Sequence, residues 1–214
     1  MMRQNFYGTD LERVKSLWGS RDHDFVKTVI ESEREALTDI AGRWEDDSDE
    51  DNFVDLEKVL HEIVDGTAKT GPGEDGWIYC EMLDIICTHL GKNVLGADEY
   101  MIGDWDGTPI EDCIHAPLLG NSGPPIPVPY NPGQGADIGH IDLKDIPGEI
   151  QRIDAMPEEF ERRQNGLIPR VFRKLFGGEK RKLTDSEEWQ VALEYRGILV
   201  EAQEKNVSLI AYSC

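Results

Sequence analysis

Five prolines fall within nine residues: Pro124, Pro125, Pro127, Pro129 and Pro132. Proline has no amide hydrogen and biases the residue before it toward extended backbone, so a helix cannot run through this stretch. From about Lys92 to Gly139 the chain is rich in Gly and Pro. It reads as a long irregular excursion with short strands near Ile114–Leu119 and Ile126–Tyr130. Loops of that length inside a compact domain are uncommon and are often functional. The regular structure must come from the segments on either side.

On the amino-terminal side the pattern is helical. Asn5-Phe6-Tyr7 suits a short strand, and Thr9 with Glu12 suits a capping box ahead of Leu11, Val14, Leu17 and Trp18. Gly19 closes that helix, with Ser20 placed to cap the next. One helix is then predicted from Asp22 to about Asp46, with Phe25, Val29, Ile30, Ala36, Leu37, Ile40, Ala41 and Trp44 forming its buried stripe. An acidic bend at Glu45–Asn52 leads to a helix carrying Phe53, Leu56, Val59, Leu60, Ile63 and Val64, closed by Gly66. After a Gly/Pro turn comes a buried helix from Trp77 to Leu90, with Cys80 and Cys87 on one face.

Beyond the excursion, Ile141 to about Met156 reads as a helix, with Pro157 and Pro169 opening two more. The last helix starts at the box Thr184/Glu187, with Trp189, Ala192, Leu193, Leu199 and Val200 facing inward. Val207–Tyr212 follows as a strand. The fold class is therefore α+β, predominantly α-helical, with a small sheet joining the termini. The 214 residues are expected to form a single domain, with 92–139 as an excursion within it.

Charge bounds the function. Acidic residues number 43 against 22 basic ones, for a formal charge of -21. Such a surplus repels nucleic acid and anionic membranes and attracts a basic protein. No run of apolar residues reaches the length of a membrane span or a signal peptide, so the expected location is cytoplasmic. The cysteines, with no close CxxC pair, are expected to stay reduced. Between Glu31 and Asp65 acids outnumber bases fourteen to three. Glu45, Asp46, Asp47, Asp49, Glu50 and Asp51 are the candidate partner-binding residues on that ridge. Basic side chains concentrate instead between Arg162 and Lys182, where Glu179 is the one acid.

Several motifs approach known chemistry and miss it. His61-Glu62-Ile63-Val64-Asp65 has the start of a zinc-protease helix, but Asp65 stands where the second histidine belongs. Gly120-Asn121-Ser122-Gly123-Pro124 resembles a protease nucleophile loop without the double barrel that such chemistry uses. Lys69-Thr70-Gly71 runs in the wrong order for a phosphate loop. Asp47, Asp49, Asp51 and Asp55 are spaced like a calcium loop, but Asn52 replaces the turn glycine and Lys58 the closing glutamate. A second loop offers Asp104 and Asp106 as metal ligands, with Gly107 between them and Glu111. No cofactor is implied.

Tyr7-Gly8-Thr9-Asp10-Leu11-Glu12-Arg13, Gly19-Ser20-Arg21-Asp22 and Cys87-Thr88-His89-Leu90-Gly91 resemble segments of the YfbM-like group of bacterial cytosolic proteins. So does the ending, with Tyr195-Arg196 in a long helix before a short strand. The resemblance implies an α+β fold and a bacterial origin, and it brings no activity to carry over.

The leading expectation is a non-enzymatic interaction domain whose acidic surface binds a basic partner, as an immunity or antitoxin-like protein would. One alternative is an enzyme or ligand binder with a pocket under the central loops, lined by Trp77, Tyr79, His89, Tyr100, Trp105, His115 and Tyr130. Another is a calcium-dependent scaffold. The oligomeric state is left open.

Overall fold

The structure is a computed structural model. It describes residues 2–47, 55–69, 76–91, 93–94, 100–102, 123–130, 137–164, 184 and 187–213. Among these, the elements run β1 (Met2–Thr9), α1 (Leu11–Leu17), α2 (His23–Ser32), α3 (Arg34–Asp47), α4 (Leu56–Asp65), α5 (Gly76–Leu90), β2 (Asn93–Val94), β3 (Tyr100–Ile102), β4 (Asp137–Ile141), α6 (Ile146–Gln164), α7 (Glu187–Glu204) and β5 (Ser208–Ser213). The fold is α+β and mainly helical, as expected. No helix among the described residues is long and apolar enough to cross a membrane.

All strand pairs are antiparallel. The sheet order is β2-β1-β5-β4, with β3 pairing further along β1. The central pair joins the two ends of the chain, with Phe6 opposite Ala211 and Tyr7 opposite Ile210. Strand side chains alternate between faces, and here both faces are covered. Tyr7, Ile138, Ile210 and Tyr212 enter one core with α1, α2, α3, α4 and α5. Phe6, Leu209 and Ala211 enter a second core with α6 and α7. The sheet thus lies between two helical cores. That explains why Leu209-Ile210-Ala211-Tyr212 is apolar at every position.

Helix α5 is apolar around most of its circumference because it lies between the sheet and the outer helices. Cys80 and Cys87 are buried within it. Its acidic neighbours α2, α3 and α4 present one apolar stripe inward and polar residues outward. Helix α4 begins at Asp55, whose carboxylate accepts from the Lys58 amide, and ends at Gly66 with φ +67. A Cβ at Gly66 would stand 3.1 Å from the Cα of Gly19, itself at φ +70. Close approach and left-handed backbone together require glycine there.

Several boundaries differ from the expectation. Asp10, not Thr9, caps α1, because Thr9 is still paired in β1. Asp22 caps α2, while the Ser20 hydroxyl accepts from the Asp22 amide one step earlier. The single helix expected from Asp22 to Asp46 is two, separated at Glu33, where φ is -104 and ψ 23. Ile141 ends β4 instead of opening a helix, and α6 runs through Pro157 without ending. Ile126–Tyr130 is not a strand, because its prolines cannot donate to a ladder. Ile126 and Val128 instead plug the first core, with the Val128 amide bonded to Ile126 O at 2.8 Å. The expected excursion also contributes β2, β3 and part of β4. On α7, Leu193 is 39% exposed, because the buried stripe follows Ala192, Ile198, Leu199 and Ala202. Ile114–Leu119 lies outside the described residues, as do the helix expected at Pro169 and the residues joining Thr184 to Glu187.

Leu209 and Ile210 are adjacent and face opposite cores, and both are essentially inaccessible. Leu209→Ala and Ile210→Ala should each lose about 2–5 kcal/mol in urea unfolding. A near-neutral result for either would mean that one face of the sheet is open.

Candidate functional site

The outward side of α2, α3 and α4 is an acidic surface. Asp22, Asp24, Glu31, Glu35, Asp39, Asp55 and Glu57 are exposed there, against Lys27, Arg34, Arg43 and Lys58. Two of those four bases are engaged: Arg43 reaches in to Glu81 at 3.3 Å, and Lys58 lies 3.9 Å from Glu62. Asp22 and Asp55 are committed as helix caps. Asp24, Glu31, Glu35, Asp39 and Glu57 enter no ion pair among the described residues. On the opposite layer Arg152 holds Glu149, Arg196 holds Asp154 and Lys205 holds Glu201, while Asp145, Glu158, Glu161, Glu194 and Glu204 are exposed and enter no ion pair among the described residues. Uncompensated negative charge therefore lies on both helical layers, and on α2–α4 it belongs to the acidic Glu31–Asp65 stretch of the sequence.

Of the expected ridge, Glu45, Asp46 and Asp47 form the last turn of α3, and Asp49, Glu50 and Asp51 lie outside the described residues. Glu31, Glu35, Asp39, Asp55 and Glu57 fall within the Glu31–Asp65 stretch that charge counting marked, and Asp22 and Asp24 on α2 lie before it. Helical spacing signals Glu35 and Asp39, which are four apart on α3.

Beneath this surface α5 carries two carboxylates in an otherwise apolar helix. Glu81 is buried and bound by Arg43. Asp84 faces the Tyr7 hydroxyl on β1, which also meets Thr88. Its Oδ1 is closed off from solvent and has no hydrogen-bond partner among the described residues. Burial pushes the Asp84 carboxyl up to about 6, with the nearby Glu81 charge adding to it and Tyr7 and Arg43 opposing. Burial and the same carboxylate push the Tyr7 phenol and the Cys87 thiol well above their ordinary ranges. Cys87 is therefore a packing residue and not a nucleophile. A general acid must reach the proton it transfers, and the sealed Asp84 Oδ1 cannot. These groups serve the interior.

The aromatic and histidine residues expected around a pocket separate. Tyr79 is buried and donates a short hydrogen bond to Glu62. His89 lies ten residues on, about 15 Å along the helix axis. There His89 Nδ1 is 2.9 Å from Ser32 Oγ and 3.5 Å from Glu33 Oε1, with Phe25 edge-on to the ring at 5.6 Å. Serine and carboxylate on the same ring nitrogen cannot make a relay, which needs them on opposite nitrogens. The cluster instead fastens the α2–α3 joint to the end of α5. Trp77 and Tyr130 pack on the first core, and Tyr100 pairs with Gln4 in the sheet. Trp105, His115, Asp104 and Asp106 lie outside the described residues.

Because its folded pKa is raised, Asp84 favours folding most below about pH 4, and that advantage is lost as pH rises through about 6. Each pKa step is worth about 1.4 kcal/mol. Asp84→Asn should therefore gain on the order of 1–3 kcal/mol over the parent at pH 8 and little at pH 4. Melting curves across that range check it, and an equal effect at both pH values would contradict it.

Residues 2–179 match the family DUF7691, a domain of unknown function, and the chain belongs to that family. The match stops before α7 and β5. No curated protein and no solved structure matches the chain.

Proposed function

We propose that this DUF7691 chain is a non-enzymatic protein-interaction domain that receives a basic partner on the outward side of α2, α3 and α4. An immunity or antitoxin-like role against a cationic toxin in a bacterial cytoplasm is the concrete form of that reading. The observation that carries it is the set Asp24, Glu31, Glu35, Asp39 and Glu57, exposed and drawn into no ion pair among the described residues. The overall charge of -21 adds a long-range field of the same sign. Fields of this kind steer a cationic partner and raise its association rate by about 10- to 1000-fold at low salt.

The fold favours a surface role in a second way. The outer helices are anchored by their apolar stripes and by Arg43–Glu81, Tyr79–Glu62 and Ser32–His89. The acids above them can therefore change without disturbing a core. Because these charges stand on helices, docking them orders little backbone.

The test is capture of a basic protein from host lysate at low and high salt, followed by kinetics with the purified partner. Reversing Glu31, Glu35 and Asp39 to lysine should slow association at least about tenfold and flatten its salt dependence, with the off-rate changed less. Unchanged association kinetics in that variant would remove the electrostatic reading.

A further inference from the structure

The segment His61-Glu62-Ile63-Val64-Asp65 offers one histidine where a zinc-protease helix offers two. The fold brings a second from another helix. His23 opens α2, and its Nδ1 lies 3.0 Å from Nδ1 of His61 on α4. The ring centroids are 5.1 Å apart and the planes are inclined at 42°. On the far side of its ring, His23 Nε2 lies 3.5 Å from Asp65 Oδ1.

We propose that His23 and His61 are the two imidazole ligands of a transition-metal site spanning α2 and α4, with Asp65 as the outer carboxylate that orients His23. The site takes a borderline divalent ion, Cu(II), Ni(II) or Zn(II).

Three features argue for it. Imidazole nitrogens sit about 2.0–2.1 Å from such an ion, so two on one ion are about 2.9–3.4 Å apart between square and tetrahedral angles. The observed separation falls in that interval and is equally that of an imidazole–imidazole hydrogen bond, which the metal titration distinguishes from it. A carboxylate on the opposite ring nitrogen is the usual second partner of a metal-bound histidine, since it holds the proton on Nε2 and leaves Nδ1 as the donor. Asp65 Oδ1 stands on that side, 3.5 Å from Nε2. Finally, His23 is 55% exposed in its side chain, so an ion can enter and water can complete its shell. Among the described residues no group of three ligating side chains converges, which makes this a two-imidazole site of moderate affinity. The acidic surroundings, with Asp22 at the amino end of α2 and Asp24 and Asp65 beside the pair, offset the positive pole of that helix.

The site does not perform protease chemistry. Glu62, which would be the general base of the motif, accepts from Tyr79 and lies beside Lys58. The ion would instead tie α2 to α4 beneath the acidic surface.

Copper(II) added to chelator-treated protein is the probe, read by electron paramagnetic resonance and titration calorimetry. One ion per chain is expected, with superhyperfine structure from two nitrogens. His23→Gln and His61→Gln should each weaken binding at least about tenfold and reduce the coupled nitrogens to one. Asp65→Asn should weaken binding by about 10- to 100-fold with both nitrogens retained. Zinc should raise the melting temperature of the parent and not that of the double variant. All three residues lie at or near the surface, and far-UV circular dichroism confirms that each variant folds. Absence of binding at tens of micromolar copper, or an unchanged nitrogen signal in the double variant, would overturn the assignment. The second result would place the ion elsewhere.

Discussion

The pairing of β1 with β5 is the interaction on which the other layers depend. It joins the first strand to the last across six residue pairs, from Gln4–Ser213 to Thr9–Ser208. Because alternate residues face opposite ways, those two strands supply apolar anchors to both cores at once. The first core then requires α5 against the sheet, and α5 in turn requires cover from α2 and α4. Each added layer has one apolar side satisfied and one side left for water. By the time the chain reaches α2, α3 and α4 the outward side is free of any packing demand, and it is filled with acids.

This ordering also accounts for the polar groups found inside. A helix sandwiched between a sheet and other helices has almost no solvent side, so any carboxylate on α5 must be answered internally. Arg43 answers Glu81. Tyr7 only partly answers Asp84, whose second oxygen is left closed off. Unpaired buried polar groups cost stability, and the raised Asp84 pKa is the same cost expressed as proton affinity.

Much of the fold was legible from residue pattern, and the exceptions have physical reasons. The helices at 56–65 and 76–90 announce themselves by apolar spacing and by Gly66 and Gly91. Strand β5 stands out as a short apolar run after Asn206. The break at Glu33 carries no proline or glycine; it is held by Ser32 and His89, a contact across 57 residues. Strand β4 was missed because its first residues closed the Gly/Pro-rich stretch and Ile141, its last, fits the helical spacing of Ile146, Ile150 and Ile153. Of the acidic side, charge counting marked Glu31–Asp65 but could not tell which of its acids are paired. The His23–His61 contact spans 38 residues and has no local signal. The one missed feature with a plain signature was Asp84, a carboxylate standing among apolar residues in the most hydrophobic helix.

Location of charge is what separates this account from a merely acidic protein. Amide resonances of the labelled chain can be followed while a short lysine- and arginine-rich peptide is added at low salt. The account predicts shifts concentrated on α2, the first half of α3 and α4, disappearing at high salt. Shifts spread evenly over the surface, or centred on α6 and α7, would contradict it.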